Sequence, residues 1–409
     1  VRSHMQPHSP SNPHISDQLD NHIQQIIPWW SDLSPAAREE LVLSTLYALP
    51  THTMDVIVIG AGVAGLSAAL GARAAGAEVI VLETEPLLGY GATGRNAGIL
   101  SSGVNMNITE LPSDSPGLAF WPETHKALLS LIEEARQPDT LLSASLTGAI
   151  SLARSKNAAH KQEREARIRQ SLGLRAELWT AAQAAEQTQG RLNTEGVEGT
   201  LWLPDEGRIH PLTLLAHLAK KARAAGVVMF GQAHVTTSQE IQSRAHSYWQ
   251  LTLADGQTIS AHSIIRTVGP TVEPNARIYA LAFDIDLPDT FPLFWDASPY
   301  TYADFRPGNG RLGVSGGRYG KAGVTKKDRI YHQKLADMAR HWLPELQRQE
   351  PSHTWAVDLE VTANMIPTMR SIGKKAYGVE IVGLGSLGVL PGIVLGRRAG
   401  NGSTTPTKM

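Results

Sequence analysis

The 409-residue sequence predicts an α/β protein with one mainly parallel sheet, a second antiparallel sheet and a helical N-terminal extension. Residues 56–59 and 79–82 are runs of β-branched and other apolar residues, which are typical of strands buried in a parallel sheet. Apolar residues recur at helical spacing between these runs, so the segment predicts a strand–helix–strand unit. Residues 280–320 alternate apolar and polar residues, which predicts the antiparallel sheet.

The turn between the first strand and the helix has the spacing of a dinucleotide-binding motif. Its three glycines follow the pattern G-x-G-x-x-G: Gly60, Gly62 and Gly65. The first permits a tight turn, the second lets the backbone approach a pyrophosphate, and the third lets helix and strand pack closely. The helix N-terminus offers free N–H groups and a positive dipole end to the phosphates. Glu83 ends the second strand, where it is placed to accept hydrogen bonds from a ribose, so the unit predicts a Rossmann-like fold.

The residues before this unit predict a helical extension, residues 6–53. Residues 1–5 resemble the remnant of an expression tag. Helical spacing runs from Ile15 to Leu49, with a second helix start at Ser34. One interpretation is that the extension packs on its own domain. The other is that residues 15–50 dock a protein partner or a membrane surface, anchored by Trp29 and Trp30.

The composition excludes several classes of site. A formal net charge of −1 provides no basic surface, so nucleic acid is not an expected partner. The absence of cysteine excludes disulfides, thiolate metal sites and a cysteinyl bond to a cofactor, and it suits a reducing, cytoplasmic setting. No run reaches the roughly 18 apolar residues that a transmembrane helix needs. The 15 histidines lack paired ligand spacing, so no metal site is expected.

A second glycine-rich loop follows the ribose acid at residues 91–98. It reads Gly91-Ala92-Thr93-Gly94-Arg95-Asn96-Ala97-Gly98. This loop resembles the flavin-proximal loop of the D-amino-acid-oxidase superfamily of FAD enzymes. Further motifs resemble that family in the same order, at residues 207–211, 235, 267–269, 305–318 and 383–388. The resemblance covers residues 54–398.

The resemblance implies FAD as the cofactor and names the residues that contact it. Val235 is similar to a residue that covers the adenine, and the helix after Gly388 would direct its N-terminus at the reduced flavin. Leu387 stands where relatives usually carry histidine. The other residues implied to bind FAD, besides the dinucleotide motif and Glu83, are Thr93, Gly94, Arg95, Asn96, Ala97, Gly98, Thr267, Gly269, Gly385 and Ser386.

The implied reaction is oxidation of the C–N bond of a small amine to an imine, by hydride transfer to flavin N5. The flavin carries the difficult chemistry, so no acid or base side chain is obligatory. Oxygen or another electron acceptor would reoxidise the flavin. Two alternatives stay open: oxidation of an α-amino acid, and a flavin-bearing electron-transfer or assembly partner without amine turnover.

The substrate side departs from the amino-acid-oxidising branches of the family. Those branches carry an arginine for the substrate carboxylate four residues after a tryptophan or similar residue, whereas here Trp355 is followed by Leu359. Residues 361–367 and 316–318 look more like the γ-glutamylputrescine-oxidase branch. We therefore expect an amine without a required α-carboxylate, with Asp358 and Glu360 suited to a cationic tail. In the amino-acid alternative Arg306 or Arg318 replaces the missing arginine.

The resemblance also divides the chain into two domains. We expect a discontinuous FAD-binding domain formed by residues 54–110, 200–270 and 350–398. Residues 111–199 and 271–349 would then form the antiparallel-sheet substrate domain.

Overall fold

The computed structural model describes residues 26–45, 49–242, 247–268, 274–296 and 303–403. In these ranges the strands are β1 (Ser44–Thr45), β2 (Met54–Ile59), β3 (Val79–Leu82), β4 (Ile99–Leu100), β5 (Ala144–Leu146), β6 (Ala149–Ala153), β7 (Glu177–Trp179), β8 (Gly199–Leu203), β9 (Gly207–Ile209), β10 (Val228–Gly231), β11 (Val235–Gln242), β12 (Ser247–Leu253), β13 (Thr258–Arg266), β14 (Ala276–Asp284), β15 (Leu293–Asp296), β16 (Ala303–Gly308), β17 (Arg311–Gly320), β18 (His353–Leu359), β19 (Thr368–Ser371) and β20 (Tyr377–Val382). The α-helices there are α1 (Pro35–Glu40), α2 (Val63–Ala74), α3 (Ala92–Arg95), α4 (Phe120–Ala135), α5 (Lys156–Ser171), α6 (Ala181–Gln187), α7 (Pro211–Ala224), α8 (Asp328–Trp342) and α9 (Val389–Gly402).

A nine-stranded sheet carries the predicted strand–helix–strand unit. Its main path is β1-β10-β3-β2-β13-β12-β11, and β20 joins it beside β13 with β19 outside β20. The pairs from β1 to β13 are parallel, as is the pair β13–β20. Strand β2 lies at the centre of the sheet, and its last four residues are buried. Consecutive apolar residues point to both faces of a strand, so this run is stable only where both faces of the sheet are covered. The predicted α/β fold with a Rossmann-like sheet is confirmed.

An eight-stranded sheet lies beside the first, in the order β18-β14-β17-β16-β15-β6-β8-β7. Its pairs are antiparallel except for β15–β6, which is parallel. The alternating stretch 280–320 contains the second half of β14 and the strands β15, β16 and β17 of this sheet, so the predicted antiparallel sheet is confirmed there. A small third sheet, β4-β9-β5, continues from the second glycine-rich loop.

Two strands belong to a different sheet from the one that the predicted domain boundaries imply. Strands β8 and β18 fall in ranges assigned to the FAD-binding domain, but both pair within the eight-stranded sheet. Strand β18 alternates buried and partly exposed residues, which suits an antiparallel strand with one covered face better than a buried parallel strand. The division into two domains otherwise stays a prediction.

Close packing of α2 on α9 places the C-terminal loop beside the dinucleotide turn. Small residues make this contact possible, since a β-carbon added at Gly396 would overlap the carbonyl oxygen of Ala64. One at Gly400 would overlap the carbonyl oxygen of Ala68. Helix α9 therefore cannot move away from α2 without losing this surface, and residues 383–388 are held close to the start of α2. Within the described ranges, no helix is both long and apolar enough to cross a membrane.

The N-terminal extension differs from its prediction. The helix that begins after Ser34 ends at Glu40 and does not continue to residue 49; residues 44–45 form β1 instead. The backbone there finds partners outside a helix, because Leu43 N donates to Pro86 O and Leu88 N donates to Leu41 O. The remaining predicted helical positions, in residues 15–25 and 46–48, lie outside the described residues.

Trp29 and Trp30 are core residues of the protein's own fold. Their relative exposures are 3% and 2%, so the interpretation of these two side chains as surface anchors is wrong. Both belong to the apolar core that also contains residues of α2 and α7. A partner bound through other residues of 15–50 stays a prediction.

Candidate functional site

The dinucleotide turn requires glycine at two of its positions. Gly60 has φ +96°, in the left-handed region that side chains disfavour. A β-carbon at Gly65 would overlap the carbonyl oxygen of Gly60, so helix α2 can pack on the turn only without one. Thr267 closes the turn by donating from Oγ1 to Ile59 O at 3.1 Å and Gly60 O at 3.2 Å. The predicted partner Gly269 lies outside the described residues.

Glu83 lies at the turn, as the ribose-binding role requires. One carboxylate oxygen accepts from Ala61 N at 2.8 Å, and the other accepts from Thr84 N at 2.9 Å. A carboxylate has about four acceptor positions, so capacity remains for a ribose hydroxyl. Ala233 N donates to Glu83 O at 2.8 Å, which brings the start of β11 and Val235 alongside this acid.

The second glycine-rich loop meets the first at the start of α2. Val63 N donates to Thr93 Oγ1 at 3.2 Å, joining the two loops. A β-carbon at Gly94 would overlap Gly89 O, so short helix α3 packs on its loop as α2 does on its own turn. Asn96 stabilises the end of the loop by donating to Thr93 O at 2.5 Å and accepting from Gly98 N at 2.7 Å.

The space at Gly62 fits a phosphate group. A β-carbon at Gly62 would meet only the Thr93 hydroxyl, at 3.2 Å, so the remaining space beside this backbone is open. Gly62 is also the N-cap of α2, where free N–H groups and the positive end of the helix dipole favour an anion. Together with Glu83, these groups suit the pyrophosphate and ribose of a dinucleotide.

A cavity of about 520 Å³ opens between the loops of the nine-stranded sheet and the face of the eight-stranded sheet. Loops that follow β3 and β20 line one side, and strands β14, β17 and β18 line the other. The structure thus brings together predicted residues that are far apart in sequence. These residues are Arg95, Asn96, Ala97, Trp355, Leu359, Gly385, Ser386 and Leu387.

Strand β18 supplies an apolar wall to this cavity. Trp355, Val357 and Leu359 alternate along the strand and line the cavity from one face. Trp355 is also 5% exposed core, and its Nε1 donates to Arg95 O at 2.8 Å, which ties the strand to the second loop. Asp358, by contrast, pairs with Arg277 at 2.9 Å and does not line the cavity, so the expected cationic-tail contact is not formed by this residue.

Arg306 does not lie in the cavity, and its assignment to the substrate pocket is wrong. The side chain is 2% exposed and donates to the backbone oxygens Ile209 O and Gly308 O. Burial lowers its pKa to about 9. The alternation of residues along a strand shows which side chains share a face, but not which element covers that face. From the sequence alone, Arg306 was therefore expected to face the substrate. The side chain of Arg318 lies outside what the structure describes.

Arg95 lines the cavity with a half-buried guanidinium. Its Nε is buried without a hydrogen-bond partner. Burial lowers its pKa, and the charges of Glu85 and Asp358 only partly oppose this effect. An anionic group of a bound molecule would satisfy this side chain.

Asn105 is a site residue that no motif in the sequence indicated. Its Oδ1 accepts from Leu387 N at 2.6 Å and from Ser386 Oγ at 2.9 Å, and its Nδ2 donates to Leu384 O at 3.0 Å. Tyr319 reaches the same loop, with its hydroxyl 2.9 Å from Ser386 Oγ. Asn105 therefore fixes the C-terminal loop under the cavity, although no local motif marks it.

Helix α5 contributes a buried charge cluster. Arg169 and Glu165 line the cavity, and Arg169 donates to Glu165 at 2.8 Å and Glu206 at 3.1 Å. Burial raises the pKa of Glu206 to about 7, because the single guanidinium of Arg169 is shared with Glu165 and does not fully offset the cost of burying the Glu206 charge. The four-residue spacing of Glu165 and Arg169 was the only signal of this pair. Within the described residues, no group of three or more His, Asp or Glu side chains is arranged to hold a metal ion.

The sequence matches the family described as DAO, FAD dependent oxidoreductase, over residues 55–401. The chain belongs to this family and is an FAD-dependent oxidoreductase. The match begins in strand β2 and ends in α9, so it includes both glycine loops and the strands of the two large sheets other than β1.

Individual relatives are distant or match only part of their length. Fumarate reductase (cytochrome) of Shewanella frigidimarina is 38% identical over 77 residues, which are 19% of this chain and 14% of that protein. The probable oxidoreductase OrdL of Haemophilus influenzae is 25% identical over 81% of this chain and 80% of its own length. Glycine oxidase from Geobacillus kaustophilus has a crystal structure with a TM-score of 0.70, at 19% identity, covering 86% of this chain and 93% of that one. The last likeness shows a shared fold.

Alanine substitutions at Gly62 and Gly65 should separate cofactor binding from folding. Gly62→Ala should leave the apoprotein melting temperature nearly unchanged and greatly reduce bound FAD, because its β-carbon occupies phosphate space. Gly65→Ala should lower the apoprotein melting temperature, because its β-carbon overlaps Gly60 O. Thermal melts and the ratio of flavin to protein absorbance measure the two effects. Full FAD content in Gly62→Ala would contradict this placement of the phosphates.

Glu206→Gln should change how stability depends on pH. Between the ordinary carboxyl pKa of 4.5 and the folded value of about 7, the folded protein holds one more proton than the unfolded chain. The contribution of Glu206 to the free energy of unfolding should therefore decrease as pH rises across this range, by up to about 1.4 kcal/mol per pH unit. Urea unfolding of the apoprotein should show that Glu206→Gln loses this contribution, whereas exposed Glu195→Gln keeps it. An unchanged slope in Glu206→Gln would contradict the raised pKa.

Proposed function

We propose that the protein oxidises the C–N bond of a small amine to an imine, which water then hydrolyses, and that the substrate needs no α-carboxylate. Bound FAD would supply the two-electron acceptor, held by the dinucleotide turn, Glu83 and the second glycine loop. Oxygen or another acceptor would complete the cycle. The assignment to the γ-glutamylputrescine-oxidase branch rests on motifs alone and stays a prediction.

The apolar wall of β18 is the observation that carries this proposal. Leu359 presents only hydrocarbon to the cavity, with Val357 and Trp355 beside it on the same face. A carboxylate placed against Leu359 would find no cation among the three side chains of this wall, and leaving a buried carboxylate unpaired costs several kcal/mol. An uncharged amine would instead gain apolar contact, and an apolar wall favours the free base with its available lone pair over the ammonium ion.

The eight-stranded sheet and the two loops would orient such a substrate. Trp355 keeps its ring against the cavity because Nε1 is bonded to Arg95 O. Asn105 and Tyr319 hold the opposite loop at Ser386 and Leu387. The walls on both sides are therefore fixed before substrate enters, which lowers the entropic cost of productive binding.

Arg95 supports a second candidate, the oxidation of an α-amino acid. Its guanidinium lines the same cavity, and its Nε is buried without a partner. A substrate carboxylate would accept the hydrogen bond that this Nε does not otherwise make. Arg95 thus takes the place that Arg306 was expected to fill in this alternative.

Matched substrate pairs should decide between the two candidates. We expect an amine to reduce the enzyme-bound flavin faster than the amino acid from which it derives by decarboxylation, in anaerobic stopped-flow measurements. Leu359→Arg should shift this preference toward the amino acid by about tenfold or more, the scale of a charge-assisted hydrogen bond. Leu359→Met, which conserves volume, should keep the wild-type preference.

Faster reduction by the amino acid in the wild-type enzyme would contradict the amine proposal. If Arg95→Gln then removed that preference while FAD content stayed unchanged, the second candidate would be established.

A further inference from the structure

We propose that the segment before the family match is part of the cofactor site, and that Trp29 is a positioning residue for the flavin-side loop at residues 96–98. The match to the family begins at residue 55, so this segment lies outside it. Trp29 nevertheless reaches the second glycine loop, which is the loop implied to face the flavin. This role of Trp29 is in cofactor binding, and it is the same whichever substrate the enzyme oxidises.

A hydrogen bond joins Trp29 to the loop. Its Nε1 donates to Asn96 O at 2.9 Å, and the residue is 3% exposed. Asn96 uses its side chain for Thr93 O and Gly98 N. The Asn96 side chain therefore fixes the loop internally, whereas Trp29 joins the loop to the N-terminal segment.

The ring of Trp29 covers a buried cation that lies beneath the same loop. The Arg306 guanidinium is 4.8 Å from the ring centroid, within the range of a cation–π interaction. A β-carbon at Gly98 would lie 3.1 Å from Arg306 Nε, so the loop packs directly on this side chain. In the described part of the chain, Arg306 donates its hydrogen bonds to carbonyl oxygens. The aromatic face of Trp29 further stabilises the positive charge of Arg306, as a carboxylate would in an ion pair.

His210 completes the cluster without adding a charge. Its ring meets Trp29 edge-on at a centroid distance of 5.5 Å. Burial and the neighbouring Arg306 lower the pKa of His210 to about 4, so the imidazole is neutral at pH 7. The other charged groups that act on Arg306 are Arg208, Asp32 and Arg311.

Anchors on both large sheets hold the segment in place. Strand β1 pairs with β10 at the edge of the nine-stranded sheet. Asp32 pairs with Arg311 of β17 at 2.6 Å, which ties the segment to the eight-stranded sheet. Because residues that follow Trp29 are bound to the two sheets, its indole N–H is held within hydrogen-bonding distance of Asn96 O.

Trp30 offers a matched control in the adjacent position. It is equally buried, but its Nε1 has no hydrogen-bond partner. Its ring packs near Tyr90, at a centroid distance of 5.6 Å, and does not contact residues 96–98 through a hydrogen bond. Trp→Phe substitution keeps an aromatic ring and removes one N–H at either position, but a hydrogen bond is lost only at Trp29, to Asn96 O.

The test is FAD affinity of the full-length apoprotein, measured by titration of flavin fluorescence. Trp29→Phe should raise the dissociation constant of FAD about three- to tenfold, the equivalent of one lost hydrogen bond. Trp30→Phe should change it less than twofold. The apoprotein melting temperatures of the two variants should be similar, which shows that the difference does not arise from folding.

Wild-type FAD affinity in Trp29→Phe, or equal weakening in both variants, would overturn the proposal. Trp29→Leu, which also uncovers Arg306, should weaken FAD binding further than Trp29→Phe. If the leucine variant fails to fold, the comparison of the two phenylalanine variants still decides.

Discussion

The close approach of backbone at the start of α2 is the constraint on which the rest of the structure depends. Gly65 must pack on the carbonyl of Gly60, and Gly62 must leave open the space beside the helix N-terminus. Val63 N then bonds to Thr93, so the second glycine loop is placed by the first. Because α9 packs on the same helix through its own glycines, the C-terminal loop also reaches this point. Three distant segments thus converge on one helix end.

The cavity forms because the eight-stranded sheet is fastened to this assembly. The indole of Trp355 bonds to the backbone of Arg95, and Asn105 holds the loop on the other side. Buried or partly buried charges accompany these contacts at the cavity, in Arg95 and in the cluster around Arg169. Charges that are shared or only partly offset are costly in a core, and their concentration around one cavity is typical of a functional site. The family membership and the geometry agree on FAD as the group that this site serves.

Local patterns in the sequence predicted the strand–helix–strand unit of the nine-stranded sheet. The glycine spacing and Glu83 lie within one strand–helix–strand unit, so their geometry follows from short-range rules. Long-range contacts were harder to predict. Asn105 contacts a loop almost 280 positions away, and no periodicity announces such a contact. Arg306 was misplaced because its strand position does not show that the N-terminal segment and the loop at Gly98 cover it. The helix predicted to reach residue 49 ended early, because a sheet edge offered its backbone other partners.

A crystal structure of the FAD-bound protein tests the central claim most directly. We expect adenosine ribose density at Glu83, pyrophosphate density beside Gly62, and the isoalloxazine ring in the cavity between the loop at residues 96–98 and the loop at residues 385–387. Ring density outside this cavity, or a pyrophosphate remote from the N-terminus of α2, would contradict it.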